Sequence, residues 1–325
     1  MCGIVGYIGP IAAADFLVGG LRRLEYRGYD SSGVATIDPS EGLVVTRTVG
    51  RIDKLEARLA ASPSPGRVGI GHTRWATHGP PTEVNAHPHL GGDGAVAVVH
   101  NGVIENFQPL RTRLEAEGYV FRSSTDTEVI AHLIADCFSL QPPGDDVATA
   151  NFDPLVHAVQ VALAQLQGTF GLAILFREYP DVIIAARRGS PLVVGVGSEE
   201  HFVASDASPL AGRTEKIVYL ADHELAVLTG DSLRVIHRDQ GQVCHSVEVL
   251  NVESGDVDLG GYDHYMLKEI YEQPEAIENA MRGRLDEEEA TARFGGLNLA
   301  PQELRRVERV VMTACGTSWH AGLVG

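Results

Sequence analysis

The chain has 325 residues and a formal net charge of −17, from 26 basic and 43 acidic side chains. This acidic balance, without a long basic run, argues against nucleic acid or an anionic membrane as a partner. An apolar share of 44% is that of a globular protein with one large domain or two ordinary ones. No run of about 18 or more uninterrupted apolar residues occurs, so we expect no membrane span.

The first half of the chain predicts strands interleaved with helices. The opening residues alternate between apolar side chains and glycine, which is typical of a buried strand. Pro10 is suited to the start of a first helix, which the apolar spacing carries as far as Leu24. Further strands are expected at residues 33–37, 43–49, 67–77 and 95–99, and further helices at 52–61 and 107–118. Residues 125–128, Thr-Asp-Thr-Glu, have capping-box spacing and predict another helix start.

The second half is richer in strands. A proline-rich loop at residues 141–154 and a helix at 155–166 come first. Short β-rich runs follow at residues 170–176, 182–186, 192–196, 202–204, 217–220, 224–228 and 233–237. Their close succession predicts antiparallel sheets with helices on the outer faces. An acidic, glycine-rich linker is expected near residues 252–261, then helices at 265–284 and 300–309, and a buried strand from Val310 that opens into a turn.

The four cysteines, at positions 2, 137, 244 and 315, form no C-x-x-C pair. They therefore predict neither a disulfide framework nor a zinc site, and a reducing cytoplasm fits. The apolar first twenty residues contain Pro10 and Asp15 and lack a basic start, which argues against a secretory signal.

Cys2 is the candidate nucleophile. Met1 precedes a small residue, so the usual trimming of an initiator methionine would leave Cys2 with both a thiol and a free α-amine. An α-amine with a pKa of roughly 8 can accept the thiol proton directly or through one water. The alternative is an incidental cysteine in an ordinary first strand.

Other residues could supply what an N-terminal thiol lacks. The Asn101 amide and the Gly102 N–H could stabilise an oxyanion, although an Asn-Gly pair is also a common turn. Arg74, beside Trp75 in a donor-rich stretch, could clamp a substrate carboxylate, or it could be a surface arginine. Asp126 could hold a substrate ammonium or simply complement a helix dipole.

Five histidines, His72, His78, His87, His89 and His100, fall within thirty residues. Their spacing matches neither H-E-x-x-H nor the usual zinc patterns, so we predict no metal site. We favour the interpretation that these histidines have structural hydrogen-bond partners, or that they donate hydrogen bonds to the residues of a site.

Taken together, these motifs resemble those of the glutamine–fructose-6-phosphate aminotransferases, also called glucosamine-6-phosphate synthases. The motifs occur in the family's order at residues 2–6, 24–31, 72–79, 85–89, 100–102 and 124–128. Residues 264–274 resemble the segment that joins the two halves of these enzymes, and residues 315–318 resemble the entry to their sugar-phosphate isomerase half. The resemblance spans essentially the whole chain.

The resemblance implies an α+β fold. Residues 1–240 would form an N-terminal-nucleophile hydrolase αββα sandwich, the class II glutamine amidotransferase or glutaminase domain. Residues 241–264 would be a linker, and residues 265–325 the truncated start of an α/β sugar-isomerase domain. It also implies L-glutamine as substrate, no cofactor, and fructose 6-phosphate as the ammonia acceptor of a full-length homodimer.

The resemblance further assigns roles. Cys2 would attack glutamine with its α-amine as base, and Asn101 and Gly102 would form the oxyanion hole. Arg74 would bind the α-carboxylate of glutamine and Asp126 its α-ammonium. The other implied contacts are Trp75, Thr77 and His78 on a loop that closes over glutamine, Arg27 and Tyr29 near the nucleophile, and Thr317 and Ser318 of an incomplete sugar-phosphate site.

Two alternatives remain. One is another class II amidotransferase, such as the phosphoribosyl pyrophosphate type. The other is a glutamine-binding module without turnover. For this chain alone we expect glutamine hydrolysis and no amino-sugar synthesis.

Overall fold

The structure is a computed structural model that describes residues 2–76, 79–140, 152–245, 247–250, 261–281, 285–286, 291–292, 301–314 and 316–324. The chain divides into two compact units, Met1–Asp258 and Leu259–Gly325. Thr77, His78 and nearly all of the loop at residues 141–154 lie outside the described residues.

The first unit is built on two antiparallel sheets. Its strands are β1 Gly3–Ile8, β2 Ser31–Asp38, β3 Gly42–Val49, β4 Val68–Arg74, β5 His89–Gly91, β6 Val96–Ile104, β7 Gly168–Phe176, β8 Tyr179–Arg188, β9 Val193–Val196, β10 His201–Ala204, β11 Lys216–Tyr219, β12 Glu224–Leu228, β13 Leu233–His237, β14 Gly241–Val243 and β15 Glu248–Val249. In the described residues, the first sheet has the order β15-β11-β9-β10-β1-β4-β2-β3 and the second β14-β13-β12-β8-β7-β6-β5.

Helices cover the outer face of each sheet. Their bounds are α1 Ala13–Leu24, α2 Ile52–Ala61, α3 Phe107–Ala116, α4 Asp126–Ser139 and α5 Asp153–Ala164. Leu21 of α1 and Leu55 of α2 pack with Val5 against the first sheet. Ile130 of α4 and Val159 of α5 belong to the core on the second sheet. The expected four-layer αββα sandwich is therefore confirmed.

The two sheets pack face to face on a third apolar core. Ile4 and Ile70 of the first sheet meet Val99 and Leu175 of the second there. Successive side chains of a strand point to opposite faces, so Ile4 faces this inner core while Val5 faces the helices. A strand buried on both faces needs no polar alternation, which explains the apolar run at the start of the chain.

The structure corrects three expectations in the first unit. The strand expected at residues 95–99 runs on as β6 to Ile104, where Asn101 and Gly102 pair with Gly171 and Phe170 of β7, so the alternative of a turn at these two residues is wrong. Helix α1 begins at Ala13 rather than near Pro10. Strands β14 and β15 pair with the two sheets, so part of the expected linker at residues 241–264 belongs to the sandwich.

The second unit contains short elements around one longer helix. These are α6 Tyr265–Met281, β16 Leu285–Asp286, β17 Thr291–Ala292, α7 Pro301–Leu304 and α8 Gly316–Val324. The strand expected from Val310 is not formed: Val310 is 75% exposed and Met312 is 64% exposed. A strand needs a neighbouring strand for its backbone hydrogen bonds. In the described part of this unit the only strands are β16 and β17, which have two residues each and pair with one another.

The helix expected at residues 300–309 stops at Leu304, and the expected turn at residues 316–318 is instead the first turn of α8. None of the described helices combines the length and apolar character needed to cross a membrane.

Candidate functional site

Cys2 lies where the ends of several strands meet. Gly3 pairs with Thr73 at the end of β4, which brings Cys2 beside the residues that follow that strand. The backbone N–H of Trp75 donates to Sγ of Cys2 at 3.3 Å. Burial raises the pKa of the Cys2 thiol, and the Trp75 N–H acts in the opposite direction with a smaller effect. The sulfur therefore rests as a thiol at neutral pH, so a base is needed to make it nucleophilic.

Asn101 touches Cys2 directly. Its Nδ2 donates to the Cys2 carbonyl oxygen at 3.2 Å, and its Oδ1 lies 3.1 Å from Nε2 of His72. Gly102 follows with a φ of +140°, and a Cβ there would lie 2.1 Å from the carbonyl oxygen of Thr169. Only glycine fits this position in β6.

A pocket of about 280 Å³, counting the part open to solvent, joins most of the candidate residues. Its lining residues are Cys2, Arg74, Trp75, His87, His100, Gly102, Thr125, Asp126 and Thr127. The nucleophile candidate, the two charged candidates and the glycine of the oxyanion candidate therefore share one cavity.

The two charged side chains of this pocket are almost completely buried. Arg74 ends β4, and its guanidinium donates to the carbonyl oxygens of Gly79 and Pro80 at 3.3 and 3.4 Å. Asp126 accepts the backbone N–H of Ile104 at 2.9 Å. Buried charges need compensation, and an α-amino acid carries one complementary group for each of them.

Helix α4 begins at Asp126 because of the residues just before it. Thr125 caps the helix, accepting the backbone N–H of Glu128 at 3.4 Å. The Glu128 carboxylate accepts the backbone N–H groups of Arg122 and Ser123 at 2.9 and 2.6 Å. The predicted cap at Thr125 is thus confirmed, but Glu128 reaches upstream of it, and the pair fixes Asp126 at the first helical position.

Residues 28–30 form hydrogen bonds to residues 73–76, the segment that contacts Cys2. The Asp30 carboxylate accepts the backbone N–H of Ala76, and Gly28 O accepts the hydroxyl of Thr73. A Cβ on Gly28 would lie 2.6 Å from the carbonyl carbon of Arg74. We did not predict Asp30 as a contributor, although it stands in the motif at residues 24–31.

Arg27 and Tyr29 do not line the pocket. Arg27 forms an ion pair with Asp206 at 2.7 Å. Tyr29 packs edge to face on Trp75, with 5.5 Å between ring centroids. Tyr29 thus contacts a residue that lines the cavity, whereas Arg27 is paired with a residue outside its lining. That Arg27 lies near the nucleophile stays a prediction. In the second unit, Thr317 and Ser318 both belong to α8, and Ser318 is exposed.

Four of the clustered histidines, His72, His87, His89 and His100, are buried, and His87 and His100 line the pocket. The His72 ring stacks on His87 at 4.0 Å between centroids, and the His87 ring lies 4.8 Å from that of His89. Thr127 Oγ1 lies 2.8 Å from Nε2 of His87 and 3.0 Å from Nδ1 of His100.

Burial lowers the pKa of His72 to about 3, and it lowers the pKa values of His87 and His89 well below their usual value. These three rings are therefore neutral at pH 7. Across the described ranges, no set of three or more His, Cys, Asp or Glu side chains is arranged to hold a metal ion.

Comparison with known proteins gives a consistent result. The profile of a family described as a glutamine amidotransferase domain matches residues 72–212. The whole chain is 46% identical to a glutamine–fructose-6-phosphate aminotransferase [isomerizing] of Bacteroides thetaiotaomicron and covers 52% of it. An enzyme of the same name from Pseudomonas aeruginosa is also 46% identical, with 51% of its length covered. The chain spans about half the length of the curated relatives it matches.

The fold has solved counterparts. The glutamine phosphoribosylpyrophosphate amidotransferase of B. subtilis, solved with ADP and GMP, superposes with a TM-score of 0.59 over 74% of this chain and 50% of that one. Its sequence is 25% identical. By sequence, the chain is thus much more similar to the two aminotransferases than to this amidotransferase.

Proposed function

Because the chain belongs to the glutamine amidotransferases, we propose that its first unit hydrolyses L-glutamine to glutamate and ammonia, with Cys2 as nucleophile. The observation that carries this proposal is the shared pocket, in which Cys2 meets one buried cation and one buried anion, Arg74 and Asp126. An α-amino acid held by both groups would extend its side chain toward the sulfur.

The chemistry follows from these positions. Once Met1 is removed, the α-amine of Cys2 takes the thiol proton and Sγ attacks the side-chain amide carbon of glutamine. The Asn101 amide and the Gly102 N–H stabilise the oxyanion of the tetrahedral intermediate. The amine returns the proton to the leaving nitrogen, ammonia departs, and water hydrolyses the γ-glutamyl thioester through a second oxyanion.

Substrate binding divides between the two charges. Arg74 can bind the α-carboxylate with two parallel N–H donors, and Asp126 can bind the α-ammonium with the carboxylate that already accepts from Ile104. Trp75 lies beside Cys2 and is proposed as a further contact, as are Thr77 and His78, which follow it closely in the sequence. Neither a metal nor a cofactor enters this scheme.

For the complete protein we propose that ammonia passes to fructose 6-phosphate to give glucosamine 6-phosphate. The relatives that align with the whole of this chain are named for fructose 6-phosphate, and these names support this acceptor over phosphoribosyl pyrophosphate. Thr317 and Ser318 would belong to the sugar-phosphate site of a homodimeric enzyme in the cytoplasm, with neither nucleic acid nor a membrane as partner. Residues 1–240, together with strands β14 and β15 that follow them, would serve as the glutaminase. Residues 265–325 would be the start of the isomerase half, with the linker before them.

A direct assay tests the proposal. The chain beginning at Cys2 is incubated with L-glutamine, and ammonia and glutamate are measured over time. Equal amounts of both products are expected, and L-asparagine, which is one methylene shorter, should release far less ammonia. A folded chain that binds glutamine but releases no ammonia would support the non-catalytic alternative.

Arg74→Lys should raise the KM for glutamine roughly 10- to 100-fold, because an ammonium cannot make the bidentate contact of a guanidinium. The effect on kcat should be much smaller if Arg74 acts mainly in binding. Steady-state ammonia release over a range of glutamine concentrations measures both constants. Arg51→Lys is the matched control, since the Arg51 side chain is 71% exposed. An unchanged KM in Arg74→Lys would contradict the assignment.

The 325-residue chain should form no glucosamine 6-phosphate from glutamine and fructose 6-phosphate. The family resemblance implies only two residues of the sugar site in this chain, Thr317 and Ser318, and two residues cannot form such a site alone. Ser318 is also exposed. Product analysis by mass spectrometry, with ammonia release as the positive control, provides the check. Any amino sugar above the reagent blank would refute this expectation.

A further inference from the structure

His72 connects the two sheets next to the nucleophile. It lies on β4 opposite Ile4 of β1, and its side chain is completely buried. Its Nε2 reaches across to β6, where it lies 3.1 Å from the His100 carbonyl oxygen and 3.1 Å from Oδ1 of Asn101. The catalytic roles proposed above give this residue no part.

The neighbours of His72 determine its tautomer. Asn101 Nδ2 lies 3.2 Å from the Cys2 carbonyl oxygen, which can only accept, so this end of the amide is the NH₂ group. The end that faces His72 is therefore the amide oxygen. Both atoms near Nε2 are then acceptors, and Nε2 must carry the proton.

The opposite ring nitrogen agrees with this assignment. Nδ1 of His72 is buried and has no hydrogen-bond partner in the described structure. A proton there would leave a buried donor unsatisfied and turn the bare Nε2 toward two oxygens, and both changes are costly. His87, stacked at 4.0 Å, restrains the ring from one face.

The orientation of the Asn101 amide matters for catalysis. With Oδ1 held by His72, the NH₂ group lies on the Cys2 side, where one N–H bonds to the Cys2 carbonyl and the second remains for an oxyanion. A flipped amide would present its oxygen there and repel the developing negative charge.

We propose that His72 is a positioning residue, which donates from Nε2 to Asn101 and holds the amide with its N–H groups toward the reacting carbonyl. This inference rests on the proposed glutaminase function. His72 is not among the residues that line the pocket, and it acts only through Asn101.

Two substitutions separate the donor from the bulk of the ring. His72→Leu removes the donor and should lower kcat for ammonia release roughly 100-fold, with the KM for glutamine changed by less than about 3-fold. His72→Gln can place an amide N–H near the position of Nε2, so it should recover most of the lost kcat.

A double-mutant comparison tests whether His72 acts through Asn101. In an Asn101→Ala background, His72→Leu should cause no further loss, because the amide it positions is already gone. Independent, multiplying losses would mean a structural role and would overturn the inference. His201→Leu is the control. His201 is a buried histidine on β10, where it pairs with Ile8 at the end of β1 away from Cys2, and its ring bonds to the carbonyl oxygen of Thr229.

A measurement on the unaltered protein does not depend on how the variants fold. In ¹⁵N NMR spectra of the chain beginning at Cys2, His72 should appear as the neutral tautomer protonated at Nε2. An Nδ1–H tautomer in an active protein would overturn the role of His72 and leave the glutaminase function standing. If the unaltered chain releases no ammonia, the proposed function itself fails, whichever tautomer is seen.

Discussion

A chain that keeps Met1 is expected to hydrolyse glutamine at least about 1,000-fold more slowly than the same chain beginning at Cys2. With Met1 in place the nitrogen of Cys2 is an amide, which cannot accept the thiol proton. Burial raises the pKa of that thiol, so little thiolate exists without a base. The pKa of His87, which lines the same pocket, is well below its usual value, so this imidazole is a poor substitute.

The measurement compares two preparations that differ by one residue. Intact mass establishes which N-terminus each carries, and ammonia release is followed at saturating glutamine. Cys2→Ala in the trimmed chain is the reference for complete loss of the nucleophile, with thermal unfolding measured to show that the fold is retained. If the Met1 form turns over as fast as the trimmed form, the α-amine is not the base.

The free energy of unfolding should fall steeply as the pH drops below about 6.5. Burial lowers the pKa of His72 to about 3 and those of His87 and His89 well below their usual value. Below about pH 6.5 the unfolded chain binds a proton at each site and the folded chain does not. Each histidine therefore contributes stability that is present above this pH and is lost toward the folded-state pKa, at about 1.4 kcal/mol per pH unit.

Urea unfolding at pH 7, 6 and 5 provides the measurement, and comparing variants isolates the histidines from the carboxylates that also titrate. His87→Gln should make the loss shallower by about 1.4 kcal/mol per pH unit, since one fewer proton distinguishes the two states. His157→Gln is the control, because His157 is exposed on α5. Equal slopes for the native chain and His87→Gln would mean that His87 is protonated in the folded state.

The sequence predicted most regular elements because their patterns were long. Helix α2, at Ile52–Ala61, has the expected bounds. Strands β5, β14 and β15 were missed, since two or three residues carry too little pattern to register. The interpretation of Asn101 and Gly102 as a turn was wrong, because the pairing of β6 with β7 continues through both residues. Local turn preference cannot reveal pairing with a distant strand.

The site shows the same limit. Cys2, Arg74 and Asp126 could each be identified as candidates from their chemistry, but the sequence also allowed each of them an ordinary structural role. The pairing of β1 with β4, the packing of β4 against β6, and the bond from Ile104 of β6 to Asp126 of α4 bring them to one cavity. The bond from His72 to Asn101 joins residues on different sheets, and the Arg27 ion pair joins residues that are 179 positions apart in the sequence. No local pattern predicts contacts of this kind.

The alignment of β6 with β7 makes enzymatic activity a sensor of strand register. Asn101 stands opposite Gly171, and adjacent residues of a strand face opposite sides of its sheet. A slip by one position would turn the Asn101 amide away from Cys2 and press another residue against Thr169, where the structure has space only for Gly102. During refolding, the return of ammonia release would therefore report correctly aligned strands, whereas circular dichroism would count slipped and aligned sheets alike.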